Sequence, residues 1–322
     1  MSIRGIITAI FSALAISACS EQPQAMAADR SKSAYTESAD LIKQLRKSSA
    51  GEVSGIHVTG DLDFTQIGTD KKLTEQEKIR IGEALVFRNC VFEGKVFTHK
   101  VDAEGKRTLT CDFDADVRFV GCVFMSDVDM SYTLFRGELR MEHCAFKGKV
   151  RMDGMRVWDS VVLGNNEFEG DASFDGARFY GNSSLNGMKF WGMAIWQNVW
   201  LDGNALMADC QFGGNVDMSH LHAAGSLNMS NCHFGSRLEC RDAQFFGQLR
   251  LSNAVFGGNL TCENCVMMGR VDLRGVSIEK DVEITSCSFI EKPNLKNLKK
   301  SENTNVSESG NAIMTQPISI AQ

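Results

Sequence analysis

The sequence predicts an all-β fold, a β-helix whose short strands stack coil upon coil, and three observations carry that expectation. The first is a strict period: sixteen consecutive eleven-residue units run without a gap from Val117 to Lys292. Positions 3 and 8 of the unit are apolar in all sixteen, as in Leu139 to Lys149 (LRMEHCAFKGK) and Leu249 to Asn259 (LRLSNAVFGGN). A unit this short buries its apolar residues only by stacking on its neighbours. The second is the spacing inside a unit. Inward residues come in pairs two apart, such as Leu139 with Met141 and Cys144 with Phe146. Residues two apart share one side of an extended backbone, so each unit holds two short strand-like faces. The third is punctuation. Position 5 is usually Gly, Asn or Asp (Gly154, Asn165, Asp209), and position 10 is Gly in most units (Gly148, Gly170, Gly192). Both are expected at corners, as residue types that tolerate positive φ.

The coil length follows from cysteine. Cys122 and Cys144, Cys210 and Cys232, Cys240 and Cys262, and Cys265 and Cys287 are each 22 residues apart. Like stacks on like when coils superpose, so two units per coil are expected, with four faces and eight coils in the regular stretch. The three prolines, Pro23, Pro293 and Pro317, all lie outside the repeats, where a missing N–H breaks no ladder.

On these residues the chain resembles the pentapeptide-repeat proteins, whose inward pairs recur every five residues. Ala172 to Asn182 (ASFDGARFYGN) is close to that family's pattern of small residue, x, Phe, x, Gly. The resemblance implies a right-handed quadrilateral β-helix. A sixth residue at every second face departs from the family and bears on the square cross-section, not on the helix.

The elements are expected in this order. Residues 1–18 have the shape of a secretory signal: one Arg, an apolar run too short for a transmembrane helix, then Ile16-Ser17-Ala18-Cys19. The last four residues resemble the bacterial lipobox, which implies cleavage before Cys19 and lipid attachment to it. Ser20 after the cysteine is the residue that in Gram-negative lipoproteins favours the outer membrane, and more than one acyl chain suffices for stable anchoring. Residues 19–35 read as a polar tether. Residues 36–55 hold a capping helix, with Thr36 or Ser38 at its start and late Lys and Arg, and the entry to the first coil. Residues 56–116 read as irregular first coils interrupted at Gly68 to Glu83 and about His99 to Arg107, and 117–292 as the regular β-helix. Residues 293–322 lack an apolar period and are expected to be disordered.

Composition excludes several classes. The formal charge of −6 is spread out, with 16 Lys and Arg against 21 Asp and Glu across the repeats, and no basic stripe points to nucleic acid. The DNA mimics among pentapeptide-repeat relatives have a strongly acidic face and no export signal; this chain has neither feature. Besides Cys19 there are ten cysteines, eight of them at inward positions 3 or 6, where they are read as small hydrophobes; Cys262 and Cys265 form a CxxC split over two faces. His220, His222 and His233 look like ligands but are assigned to a corner and two different faces. Asp129, Asp153 and Asp175 are read as solvated. No catalytic residue, metal or cofactor is assigned.

One surface stands out. Position 9 of every second unit forms an outward column, Arg136, Trp158, Tyr180, Asp202, Ala224, Phe246, Met268 and Ile290, with Trp200 flanking it. Trp158, Tyr180 and Trp200 are the candidate interaction surface, for an envelope protein or a glycan. The expected function is a lipid-anchored, non-enzymatic envelope scaffold. The alternative is a carbohydrate-binding or carbohydrate-processing β-helix.

Overall fold

The computed structural model describes residues 34–47, 51–67, 77–102, 104 and 107–314. Cys19 and the expected signal segment lie outside the described residues, as does nearly all of the expected tether. The described chain is a parallel β-solenoid of about 12 turns with about 22 residues per coil. One coil illustrates the rest. Val161–Val162, Glu167–Phe168, Ala172–Ser173 and Arg178–Phe179 are its four strands, one on each face. They pair in parallel with Ser183–Ser184, Lys189–Phe190, Ala194–Ile195 and Trp200–Leu201 of the next coil, each step being 22 residues. We call these the first, second, third and fourth faces in chain order; among the described residues their sheets hold 10, 12, 11 and 12 strands.

The two glycine positions work differently. Position 5 does adopt the left-handed conformation, with φ of 58° at Asn165 and 60° at both Gly154 and Asn231. The position-10 glycines do not appear among the positive-φ residues, which corrects the corner reading. Their constraint is contact: a Cβ on Gly225 would lie 2.3 Å from the carbonyl oxygen of Gly203, one coil earlier. These turns stack backbone on backbone, and only hydrogen fits between them.

Inside, like residues superpose. Phe146, Phe168, Phe190, Phe212 and Phe234 stack in one column at centroid distances of 4.7–5.2 Å, with ring planes within 4°. Position-6 cysteine is more than a small hydrophobe. Its thiol donates to the position-3 carbonyl of the preceding coil, as from Cys144 to Phe119 (3.4 Å), Cys210 to Leu185 (3.1 Å) and Cys232 to Met207 (3.0 Å). Asn166 does the same job at this position, its Nδ2 donating to the carbonyl of Met141 at 2.7 Å. The ten described cysteines are all free thiols.

The ends also differ from expectation in part. Helix α1 (Ser38–Lys47) buries Leu41, Ile42 and Leu45 and contacts the first coils, with Asp40 in its first turn and Arg46 and Lys47 in its last. The first interruption is narrower than the sequence indicated, because residues 77–81 form a strand paired with Leu109–Phe113. In the second, His99–Val101 folds back antiparallel on the strand from residue 107. Past Lys292 the expected disorder is not what the described residues show. Lys299–Lys300, Val306–Ser309 and Ala312–Ile313 add a final coil paired in parallel with the one before, and their side chains are exposed. A terminal coil needs no inward pattern on its outer side, so the apolar period fades there while the ladder continues.

Candidate functional site

The fourth face and the corner after it carry the candidate surface. On this face position 7 points out and position 8 in, so Arg178, Trp200 and His222 are successive outward residues in register. Position 9 then projects from the corner. Neighbouring strands lie only about 4.8 Å apart, so outward side chains of adjacent coils must touch.

They form a continuous ladder. The Arg136 guanidinium lies over the Trp158 ring at 4.5 Å, and Trp158 meets Tyr180 edge to face at 6.5 Å. Arg178 sits 4.6 Å from the Tyr180 ring and 5.1 Å from Trp200. Trp200 stacks on His222 at 4.0 Å, and His222 reaches Phe246 at 4.9 Å. Both arginines are tethered from the side, Arg136 by Asp114 and Arg178 by Asp202, each at 2.9 Å. Partial burial in this stack lowers the pKa of His222, outweighing the upward pull of Gln244 and Asp202.

Trp158, Tyr180 and Trp200 retain 50%, 37% and 41% of their exposure. They are neither tucked into the corner nor free in solvent. Each has one face covered by a guanidinium or a ring and the rest open, so its rotamer is held before anything binds. Cation–π contacts at exposed sites contribute about 0.5–1 kcal/mol each, enough to bias an orientation.

The sequence reading located the three rings but missed Arg178 as the link between two of them. Its signal was present: it lies two residues before Tyr180 and 22 before Trp200. Among the described residues no group of His, Cys, Asp or Glu could hold a metal ion. His222 stands in the ladder, while His233 is on the second face. The expected solvated acids are bonded in part: Asp129 accepts from the Ser131 backbone N–H at 3.1 Å, Asp153 from the Ser173 hydroxyl at 2.5 Å, and Asp175 from Asn198 Nδ2 at 2.8 Å. No helix among the described residues is long and apolar enough to cross a membrane. Comparison with known proteins finds no matching family model, curated protein or solved structure.

Proposed function

We propose that this chain is a non-enzymatic scaffold of the bacterial cell envelope, a pentapeptide-repeat-like β-helix anchored by lipid on Cys19, which contacts an envelope protein through Trp158, Tyr180 and Trp200. The observation that supports the contact is the ladder: three half-exposed aromatic rings held in place by Arg136 and Arg178. Trp, Tyr and Arg are the residues that dominate protein interfaces, and rings already ordered lose little further freedom on binding.

The test is the double change Trp158→Glu with Tyr180→Glu in the lipidated protein. Circular dichroism and melting temperature should stay close to wild type, because the rings lie outside the core. The protein that co-purifies from detergent-solubilised envelopes should be lost. Retention of the partner would remove this surface from consideration, and unfolding would show that the rings serve the fold. Cys19→Ala should abolish lipid labelling; unchanged labelling would sink the anchor.

A further inference from the structure

A shallow groove of about 560 Å³ lies on the first face, on the other side of the corner that carries Trp158 and Tyr180. It crosses five coils, from Ser160 to Arg250, so four strand spacings make it about 19 Å long. Its lining includes no carboxylate and no lysine, in a chain with 40 Asp and Glu.

Two columns make the groove neutral. Outward position 2 of this face reads Val162, Ser184, Leu206 and Asn228 before it reaches Arg250. The corner column, at position 11, reads Ser160, Asn182, Asn204, Ser226 and Gln248. The equivalent corner of the alternate units reads Asp127, Lys149, Asp171, Met193, Asn215 and Arg237, which is mostly charged.

The asparagines carry the inference. Asn182 Oδ1 accepts from the Asn204 backbone N–H at 3.0 Å, and Asn204 Oδ1 accepts from that of Ser226 at 2.9 Å. At the other corner Asp127 and Asp171 make the same bond to Lys149 and Met193, at 3.0 and 3.1 Å. The fold therefore needs only an acceptor here, and aspartate supplies it. Asparagine adds an Nδ2 donor pair on two adjacent coils, and no described residue accepts from the Nδ2 of Asn182 or Asn204. Spare amide donors one coil apart, with the Ser184 and Ser226 hydroxyls and the apolar Leu206 among them, match a chain of hydroxyl and ether oxygens on apolar ring faces. A charged polymer has little to pair with until Arg250. The volume falls in the usual range of ligand sites.

We infer that this groove binds an extended, uncharged polysaccharide chain laid along the solenoid axis. The site is separate from the aromatic ladder and does not depend on the protein contact proposed above.

The test uses Asn182→Asp with Asn204→Asp. Because aspartate already holds the equivalent bond at the other corner, the melting temperature should change little, and a shift of more than a few degrees would be checked with Ser184→Trp, which fills the groove from its outer side. Wild-type protein is titrated calorimetrically with soluble cello-, manno- and xylo-oligosaccharides, maltodextrin, polygalacturonate and a Ser/Gly-rich peptide. At least one neutral glycan should bind, and the double change and Ser184→Trp should each weaken it about tenfold or more, a loss of about 1.4 kcal/mol. Trp158→Glu with Tyr180→Glu should leave that affinity within about threefold, so failure of the ladder and failure of the groove are told apart. No binding of any neutral glycan, or tighter binding of polygalacturonate or the peptide, would overturn the inference. So would neutral-glycan binding that the groove variants leave unchanged.

Discussion

Truncating one ring of the phenylalanine column tests the packing argument most directly, and Phe212 is the best placed. It is 1% exposed, with Phe190 at 5.2 Å on one side and Phe234 at 5.0 Å on the other, both within 2° of parallel. Phe212→Ala removes the ring from a coil whose backbone is tied to both neighbours and collapses poorly. Phe to Ala in a core costs about 3–5 kcal/mol, and the rigid ladder puts this site toward the upper end. Phe212→Leu keeps most of the buried volume but loses both ring–ring contacts, which are worth about 0.5–1.5 kcal/mol each, so a loss of about 1–3 kcal/mol is expected. Gln211 is the outward neighbour on the same strand, and Gln211→Ala should stay within about 0.5 kcal/mol. Urea unfolding followed by circular dichroism gives all three values. A broadened transition in the Ala variant is also expected, since a weak central coil uncouples the two halves of a one-dimensional stack. Equal losses in Phe212→Ala and Gln211→Ala would refute the inward register.

Four further outcomes follow from the same geometry. Gly225→Ala, whose methyl group would sit 2.3 Å from a backbone oxygen, should destabilise by about 2–4 kcal/mol, whereas Gly213→Ala, with its nearest atom at 3.4 Å, should cost about 1 kcal/mol or less by urea unfolding; equal costs would remove the close-approach argument. The ten described thiols should resist Ellman's reagent in the native protein and react once it is unfolded, because hydrogen bonding between thiols and burial push Cys122 and Cys265 up to about 12; fast native reaction of several thiols would contradict the packed interior. His222 binds its proton less readily folded than unfolded, so stability should begin to fall as pH drops through about 6.5, and His222→Gln should flatten that part of the profile. A second loss belongs to Glu138, Asp171 and Asp272, held below their ordinary values by Arg140, the Met193 N–H and Arg274 respectively; their contribution is present above about pH 4.5 and is lost as they protonate, and an unchanged melting temperature down to pH 3 would refute it.

The fold was legible because the core obeys one rule at every coil. Apolar residues at positions 3 and 8, left-handed residues at position 5 and paired cysteines specify strands, corners and coil length before any contact is known. What the sequence obscured lies where one residue type answers two demands. Glycine at position 10 looks like a conformational choice and is a steric one, as Gly225 against Gly203 shows. Cysteine at position 6 looks like a filler, yet its thiol satisfies a carbonyl, which is why Asn166 stands in for it. The final coil escaped because a terminal strand can pair without burying a side chain.

The same reasoning separates fold from function on the outer surface. A strand ladder sets its outward residues less strictly than its inward ones, so a regular outward pattern is open to selection for binding as well as for stability. Two such patterns occur side by side around one corner. In the first, Arg136 and Arg178 are interleaved with the rings of Trp158, Tyr180, Trp200 and His222 so that each contact covers one face and leaves another open. In the second, uncharged Asn182 and Asn204 make a bond that Asp127 and Asp171 make equally well at the other corner. A solenoid that only had to fold could use aspartate at both corners. The substitution of amide for acid on consecutive coils keeps the structural acceptor while adding donors and removing charge, and that combination suits a neutral, oxygen-rich chain lying against it.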